Sequence, residues 1–262
     1  MLPLVMGVVN VTPDSFSDGG HFINPAAAVE HGLDLMAEGA DMLDVGAEST
    51  RPGFEPVTSA EQCRRLEHVL PALKNVGVPF SVDTRSAEVA EFAADAGAFM
   101  INDVSGGRHD PAMLGLVAES DVDFVCQLWR RDQATGGDRA GRLQIRDQMA
   151  QRLDACLAAG IALDRIVLDP GLGFGPDTED DWAILAHIED ITSLGYRVLV
   201  GASRKRFLAE PGDEPIAREG AGIAVTAWCA QHGVWAVRTH TVAAHRRAIA
   251  VISRLQAVAS GE

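Results

Sequence analysis

Apolar and polar positions alternate along this chain in a regular order. A short apolar run is followed by a longer stretch with the 3.6-residue period of an amphipathic helix, and the pair then repeats. Short apolar runs with β-branched positions, bounded by polar or turn residues, predict buried strands. Eight such runs lie at residues 4–10, 42–47, 79–83, 99–104, 123–129, 165–170, 198–203 and 234–240.

The stretches of helical period lie between these runs and after the last of them. They cover residues 25–39, 59–76, 86–96, 111–118, 143–159, 179–193, 218–232 and 242–257. Eight strand–helix units in series imply parallel strands, and eight is the number that closes a (β/α)8 TIM barrel in a chain of about this length. We therefore predict an α/β protein with one (β/α)8 barrel domain over residues 1–262. An open doubly wound sheet is the alternative.

Composition narrows the class of protein further. The 262 residues carry a formal net charge of −15, which argues against a nucleic-acid partner or an anionic membrane. No apolar run approaches the ~20 residues of a membrane span, and the N-terminus has no signal-peptide pattern, so we expect a cytoplasmic protein. The four cysteines lack the close spacing of metal ligands and are expected to be free thiols.

Polar residues follow seven of the eight predicted strands, at the ends where a barrel of this kind places its active site. They are Asn10; Asp44 and Glu48; Asp83; Asn102 and Asp103; Asp169; Ser203, Arg204 and Lys205; and Arg238 and His240. An Asp or Asn after a strand often caps the next helix, but that explanation accounts poorly for so many strand ends at once. We therefore predict that these side chains line one site.

The acceptors among them suit a flat heterocycle. Asp83 and Asp169 are carboxylates, each able to take two parallel N–H bonds, and Asn102 adds an amide. Lys205 is one of only two lysines in the chain, and it can donate to a ring oxygen or nitrogen. These four residues predict a pocket for a ring that is rich in hydrogen-bond donors.

The cations point to an anion. Arg51 and Arg238, with His240 as a further donor, indicate a site of phosphate type in a chain that is otherwise acidic. Asn10 offers a hard oxygen ligand, which beside an anion suggests Mg²⁺ shared with a diphosphate. Ser203 precedes a predicted helical turn over residues 204–208, where a hydroxyl and free N–H groups suit a carboxylate.

Seven segments resemble, in order, the signature motifs of one family, the dihydropteroate synthases. They are NVTPDSFSDGG at residues 10–20, LDVGAESTRPG at 43–53, SVDT at 81–84, INDVSGG at 101–107, LDPGLGFG at 168–175, GASRKRFL at 201–208 and RTH at 238–240. The resemblance covers almost the whole chain. It implies condensation of 6-hydroxymethyl-7,8-dihydropterin diphosphate with p-aminobenzoate to 7,8-dihydropteroate and pyrophosphate, with Mg²⁺, in folate biosynthesis.

The resemblance also implies a role for each site residue. The pterin would be held by Asp83, Asn102, Asp169 and Lys205, with Arg238 packed on its ring. The diphosphate and its metal would be held by Asn10, Arg51, Arg238 and His240, and p-aminobenzoate by Thr50, Pro52, Phe174 and Ser203. The expected catalytic residues are Asp83, Asp169, Lys205 and Arg238. Members of the family are commonly homodimers and bind sulfonamides at the p-aminobenzoate pocket, so we expect both here.

The fifth predicted strand departs from the family pattern. Gln127 and Leu128 stand where the family usually has Met-His, the Met lining the pterin pocket. A second hypothesis is therefore a paralogue that binds a pterin without useful turnover. A third hypothesis, a folate-binding methyltransferase on the same barrel, has little use for Arg51, Arg238 and a metal site at Asn10 together.

Overall fold

The computed structural model describes residues 2–12, 24–48, 56–130 and 139–261. Eight parallel strands follow one another around a closed barrel in chain order. They are β1 (Leu4–Asn10), β2 (Met42–Gly46), β3 (Phe80–Asp83), β4 (Met100–Asp103), β5 (Asp123–Gln127), β6 (Ile166–Asp169), β7 (Arg197–Val200) and β8 (Ala236–Thr239).

The barrel closes because the first strand pairs on both sides. Met6 of β1 lies opposite Met42 of β2 in one ladder and opposite Arg238 of β8 in the other. An open doubly wound sheet has two edge strands and no such closing pair. The predicted (β/α)8 TIM barrel is therefore confirmed, and the open sheet is excluded.

Helices alternate with the strands and cover the outside of the barrel. They are α1 (Pro25–Ala37), α2 (Ser59–Leu66), α3 (Val69–Asn75), α4 (Ala87–Ala96), α5 (Met113–Glu119), α6 (Arg139–Ala158), α7 (Thr178–Ala186), α8 (Glu189–Thr192), α9 (Glu219–Gln231) and α10 (Val242–Ser260). Short 3₁₀ turns lie at Leu163–Arg165, Arg206–Leu208 and Pro215–Arg218. Among the described residues, no helix has the length and hydrophobicity that crossing a membrane requires.

Two stretches predicted as single helices are each divided, so the single-helix predictions for 59–76 and 179–193 are wrong. The first separates into α2 and α3. Pro71 explains the break, because a proline has no N–H for the carbonyl four residues earlier and its ring clashes with that carbonyl. That carbonyl belongs to Glu67, the residue at which α2 is capped. The second separates into α7 and α8, and Ile188 and Ile191 beyond the break are buried.

Several strands are shorter than predicted, because burial continues after strand pairing has ended. The run predicted for the seventh strand reaches residue 203, but β7 ends at Val200. Gly201, Ala202 and Ser203 remain buried although they have left the ladder. An apolar pattern reports burial and therefore overestimates the length of the strand.

The core has two parts, because side chains alternate between the two faces of each strand. Outward-facing residues such as Val5, Val9 and Leu43 pack with the helices in the larger cluster. Inward-facing residues form a smaller cluster, which we call the inner plug. Its members are Met6, Met42, Met100, Val125, Val167, Leu199 and Ala236. The plug fills the barrel and supports the residues one step nearer the carboxyl ends of the strands.

Candidate active site

The inward positions above the inner plug are mostly polar. On β2, β4, β5, β6 and β8 the residue two positions after the plug is Asp, Asn, Gln, Asp and Arg, respectively. On β3, Asp83 lies opposite Asn102 in the ladder, and Gln127 of β5 lies opposite Asp169 of β6. We call these six side chains the polar floor: Asp44, Asp83, Asn102, Gln127, Asp169 and Arg238. The structure thus brings together Asp83, Asn102, Asp169 and Arg238, as the sequence predicted.

Asp44 is the hydrogen-bond centre of this floor. Its carboxylate is fully buried and accepts from Arg238 Nε at 2.5 Å and from Asn102 Nδ2 at 3.0 Å. Its second oxygen accepts from the Ser81 hydroxyl at 2.5 Å. Arg238 also donates from Nη2 to Asp83 at 2.9 Å. The guanidinium is therefore fixed by two carboxylates, and Asp44 orients both Arg238 and Asn102.

From the sequence, Asp44 was placed among the residues that line the site but was assigned no individual role. The signal was present, because Asp44 follows Met42 by two residues and so faces the barrel interior. A charged side chain that is fully buried needs a partner of opposite charge. Its partner, Arg238, lies 194 residues away in sequence, a contact that local patterns do not reveal.

Asp169 and Lys205 form the other side of the site. One oxygen of Asp169 accepts from the backbone N–H of Gly171 at 2.7 Å. Lys205 donates from Nζ to the carbonyl of Leu172, and its ammonium lies 4.3 Å from the centre of the Phe174 ring. The loop after β6 therefore makes hydrogen bonds to both Asp169 and Lys205, and it brings Phe174 beside Lys205.

Glycines permit this loop to fold so tightly. Gly171 and Gly173 have φ of +71° and +73°, a region that other residues rarely adopt. A Cβ on Gly171 would lie 2.0 Å from the carbonyl oxygen of Leu128, and one on Gly173 would lie 2.6 Å from Cδ of Lys205. Both positions therefore require the absence of a side chain.

Burial shifts the ionisation of the site groups toward neutrality. Burial raises the pKa of Asp83 to about 7, although the charge of Arg238 acts in the opposite direction. Burial also raises the pKa of Asp169, a shift that Lys205 reduces. Burial lowers the pKa of Lys205 to about 8, against the attraction of Asp169. Near neutral pH the site thus contains an acid and a base that both titrate close to pH 7–8.

Ser203 and His240 lie at the rim, where β7 and β8 end. The Ser203 hydroxyl is 3.0 Å from His240 Nδ1 and accepts from the backbone N–H of His240 at 3.3 Å. Phe174 packs against Trp129, with 5.9 Å between ring centres. The rim therefore combines a hydroxyl, an imidazole and two aromatic rings, of which sequence reasoning did not assign Trp129.

Three of the polar strand-end residues, Asp103, Glu48 and Arg204, organise loops and join neither the floor nor the rim. Asp103 accepts from the backbone N–H groups of Ser105 at 2.7 Å and Gly107 at 2.8 Å, so it shapes the loop after β4. Glu48 accepts from the backbone N–H of Val57 and from Arg85. Arg204 has a φ of +60° and lies 3.6 Å from Glu219. These residues follow the structural explanation, in which a polar group after a strand organises the next loop.

Two buried polar atoms of the floor have no hydrogen-bond partner. They are Asn102 Oδ1, an acceptor, and Gln127 Nε2, a donor. Buried polar atoms are almost always paired in folded proteins, and an exception calls for a specific explanation. Their position above the inner plug indicates that a ligand supplies the missing partners.

Not every predicted site residue falls in the part of the chain that the structure describes. Thr50, Arg51 and Pro52 lie outside the described residues. Asn10 is described, at the half-buried end of β1, where it lies opposite Gly46. The described residues contain no cluster of three or more His, Cys, Asp or Glu side chains that could hold a metal ion.

Comparisons with known proteins agree with this geometry. The sequence model of the family described as "Pterin binding enzyme" matches residues 6–240. The dihydropteroate synthase of Mycobacterium leprae is 41% identical over 260 residues, which cover 95% of this chain and 92% of that protein. The resemblance that the sequence motifs predicted is therefore confirmed.

Solved structures give the same result. The dihydropteroate synthase of Xanthomonas albilineans, solved with 4-aminobenzoic acid, is 41% identical, with a TM-score of 0.90 and coverage of 98% of this chain and 94% of that one. The enzyme of Anaplasma phagocytophilum, solved with 6-hydroxymethylpterin-monophosphate, is 37% identical, with a TM-score of 0.89 and coverage of 97% and 100%. These comparisons give no support to a paralogue without activity. The chain belongs to the pterin-binding enzyme family and, within it, to the dihydropteroate synthases.

Proposed function

We propose that this chain condenses 6-hydroxymethyl-7,8-dihydropterin diphosphate with p-aminobenzoate to give 7,8-dihydropteroate and pyrophosphate. The observation that carries the proposal is the polar floor, which collects carboxylates, amides and a guanidinium on the inward face of the barrel, directly above the inner plug. Asp169 and Lys205 lie on one side, and Asp83 and Asn102 on the other. The family to which the chain belongs supports the same activity.

The floor residues bind the pterin in this proposal. The Asp169 carboxylate accepts the N3–H and 2-amino hydrogens as a parallel pair. Lys205 donates to the ring oxygen O4, while Asn102 and Asp83 face the edge that carries N8–H. Arg238, fixed by Asp44 and Asp83, packs on the ring.

The rim binds p-aminobenzoate. Phe174 supplies an apolar surface for the benzene ring, and Ser203 supplies a hydroxyl for the carboxylate. Thr50 and Pro52 complete this pocket by resemblance to the family. A sulfonamide resembles p-aminobenzoate in shape and polarity, so we expect it to compete for the pocket.

The diphosphate occupies the cationic side of the rim, with Arg238 and His240 as donors and Arg51 added by resemblance. Mg²⁺ suits this place, because it usually keeps one or two protein ligands beside waters and substrate phosphates. The Asn10 carboxamide fits that role, since it offers a hard oxygen ligand at the half-buried end of β1. When bound, the metal would neutralise charge on the departing diphosphate.

The residues act on charge that develops during the reaction. The C–O bond to the diphosphate breaks first, and positive charge spreads from the exocyclic methylene into the ring. Asp83 and Asp169 stabilise this cation, while Arg238 and His240 stabilise the anion. The amine of p-aminobenzoate then forms the new C–N bond and loses a proton, and no covalent enzyme intermediate is needed. Loss of one such group removes about 2–4 kcal/mol of transition-state stabilisation.

Pyrophosphate release tests the activity. The protein is incubated with the pterin diphosphate, with and without p-aminobenzoate and Mg²⁺. Release that depends on both additions supports the synthase. Tight pterin binding without release would support the alternative, a paralogue with no useful turnover.

The homodimer, the single domain over residues 1–262 and the cytoplasmic location stay predictions. Val251, Leu255 and Val258 support the homodimer, because they form an exposed apolar stripe on α10. We expect sedimentation to detect a dimer and Leu255→Arg to shift it toward the monomer. A monomeric wild-type protein at micromolar concentration would contradict this part of the proposal.

A further inference from the structure

Gln127 is a buried amide that the barrel itself does not use. It faces the interior, because Val125, two residues earlier on β5, belongs to the inner plug. The residue is only 3% exposed, and its Nε2 has no hydrogen-bond partner. An unpaired buried donor destabilises the empty protein, so its presence indicates a partner that arrives with the ligand.

The order of strands around the barrel places this donor relative to the pterin. From β7 toward β4, the site presents Lys205, then Asp169, then Gln127, then Asn102. The edge of a dihydropterin presents, in sequence, the acceptor O4, the donors N3–H and 2-NH₂, the acceptor N1 and the donor N8–H. In the proposed function, Lys205 meets O4 and Asp169 meets the two donors.

The two unpartnered atoms match the remaining ring atoms in the same order. Gln127 Nε2 is a donor and comes next after Asp169, where the ring offers the acceptor N1. Asn102 Oδ1 is an acceptor and comes after Gln127, where the ring offers N8–H. Asn102 Nδ2 donates one of its two hydrogens to Asp44 at 3.0 Å, so the atom of this amide that is left without a partner is its oxygen. Gln127 Nε2, which has no partner, is the donor that the strand order places opposite N1.

We propose that Gln127 is a specificity-determining residue that donates a hydrogen bond from Nε2 to N1 of the pterin ring. The proposal rests on the proposed function. It adds a contact to N1, an atom of the ring that the carboxylates and Lys205 do not contact in that function. It follows that this protein discriminates against bicyclic rings that carry C–H in place of N1.

Calorimetry with two ligands and two variants tests the proposal. The ligands are 6-hydroxymethyl-7,8-dihydropterin and its 1-deaza analogue, in which C–H replaces N1. Gln127→Met removes the donor at similar volume, and Gln127→Glu replaces it with an acceptor of the same shape. We expect each substitution to raise the Kd for the pterin about tenfold, the typical effect of one hydrogen bond to a buried donor.

The pairing of variant and ligand identifies the hydrogen bond itself. The wild-type protein should bind the 1-deaza analogue about tenfold more weakly than the pterin, whereas Gln127→Met should bind both with the same Kd. If Gln127→Met disturbed the pocket in general, the Kd for both ligands would rise by the same factor, and the variant would still prefer the pterin as the wild type does. Gln256→Met is the matched control, because Gln256 lies on the exposed part of α10, and its Kd values should equal those of the wild type.

Thermal unfolding gives a readout that needs no ligand. Since Gln127→Met removes an unpaired buried donor, the Tm of the ligand-free protein should rise by about 2–4 °C. Should Gln127→Met fail to fold, the Gln127→Glu variant and the wild-type preference between the two ligands decide the question.

The outcomes separate the inference from the function on which it rests. Wild-type protein that binds no pterin would overturn the proposed function. Wild-type protein that binds the pterin, together with a Gln127→Met variant of unchanged Kd, would overturn the role of Gln127 alone. Equal wild-type affinity for the two ligands would do the same.

Discussion

Asp44→Asn is the substitution that tests most directly how the polar floor is held together. The Asp44 carboxylate is fully buried and accepts from Arg238, Asn102 and Ser81. An amide at this position keeps an oxygen for Arg238 and Asn102 and turns its NH₂ toward the Ser81 hydroxyl, which can accept as well as donate. We therefore expect the variant to fold, with Arg238 deprived of one of its two counter-charges.

The expected losses follow from the kinds of hydrogen bond involved. A bond to a charged group contributes about 1.5–3 kcal/mol and a neutral one about 0.5–1.5 kcal/mol, so the free energy of unfolding should fall by about 1–2 kcal/mol. If Arg238, held less firmly, stabilises the transition state less by a similar free energy, kcat/KM falls about tenfold. Asp44→Leu is the contrasting variant. It removes the acceptor of three donors, on Arg238, Asn102 and Ser81, and should cost about 3–5 kcal/mol of stability.

The pH dependence of the reaction supplies the decisive assay. The pKa of Asp83 is about 7, raised first by burial and also by the negative charge of Asp44. Since ionised Asp83 is the active form, kcat/KM for pyrophosphate release should rise through about pH 7 and fall above about pH 8, where Lys205 loses its proton. Asp44→Asn removes a negative charge beside Asp83, so the acidic limb should move to lower pH while the alkaline limb stays.

An acidic limb at the wild-type position in Asp44→Asn would refute this reasoning, because Asp44 would then exert no charge on Asp83. Wild-type kcat/KM in the variant would refute the claim that Asp44 positions Arg238. Chemical denaturation measured beside the kinetics separates either result from a variant that is only less stable.

Three further predictions concern the stability of the ligand-free protein. The folded protein keeps a proton on Asp83 up to about pH 7, whereas the unfolded chain releases it near pH 4. The free energy of unfolding therefore falls as pH rises between these values, by up to about 4 kcal/mol. Chemical denaturation of Asp83→Asn at a series of pH values should show a weaker dependence of stability on pH. Gly171→Ala should lower the free energy of unfolding by at least about 3 kcal/mol, because this position combines a positive φ with a backbone clash. The control Gly233→Ala has a positive φ but open space around the new Cβ, so it should lower the free energy of unfolding by only about 1 kcal/mol. Equal Tm values for the two variants would contradict the clash. Arg130→Met breaks fully buried ion pairs and should cost about 3–5 kcal/mol, whereas Arg64→Met on the surface should cost no more than about 1 kcal/mol; urea midpoints check the difference.

The barrel and most of its site could be predicted from sequence because both follow from one periodicity. In β2, Met42 and Asp44 face the interior and Leu43 faces the helices, as the alternation of a strand requires. The same rule carries Asp169 and Arg238 inward at the ends of β6 and β8. The face of the strand on which a residue lies is therefore encoded locally. The order of the strands around the barrel then determines which of these residues are neighbours.

What a polar group bonds with is not encoded locally. His240 was predicted at the anion site, and the structure has its Nδ1 beside the Ser203 hydroxyl, 37 residues away in sequence. Asp44 was predicted to line the site, but its role in orienting Arg238 was not, because Arg238 is distant in sequence. The break between α2 and α3, by contrast, had a local signal in the sequence, because Pro71 disfavours a continuous helix. The helical period of the whole stretch outweighed that signal in the prediction.

In the proposed function, the charges of the site favour the transition state over the bound substrate. With every group ionised, the described carboxylates Asp44, Asp83 and Asp169 exceed the cations Lys205 and Arg238 by one negative charge. A neutral pterin gains little from that excess, but a ring that becomes cationic as the diphosphate departs gains an attraction of about 4 kcal/mol at 4 Å and an effective dielectric constant of about 20. Because the carboxylates are already held by donors such as Arg238 and the Gly171 N–H, this attraction requires no rearrangement when the charge appears. In the proposed function this stabilisation is therefore specific to the transition state, because the pterin ring of the bound substrate is neutral and does not consume it.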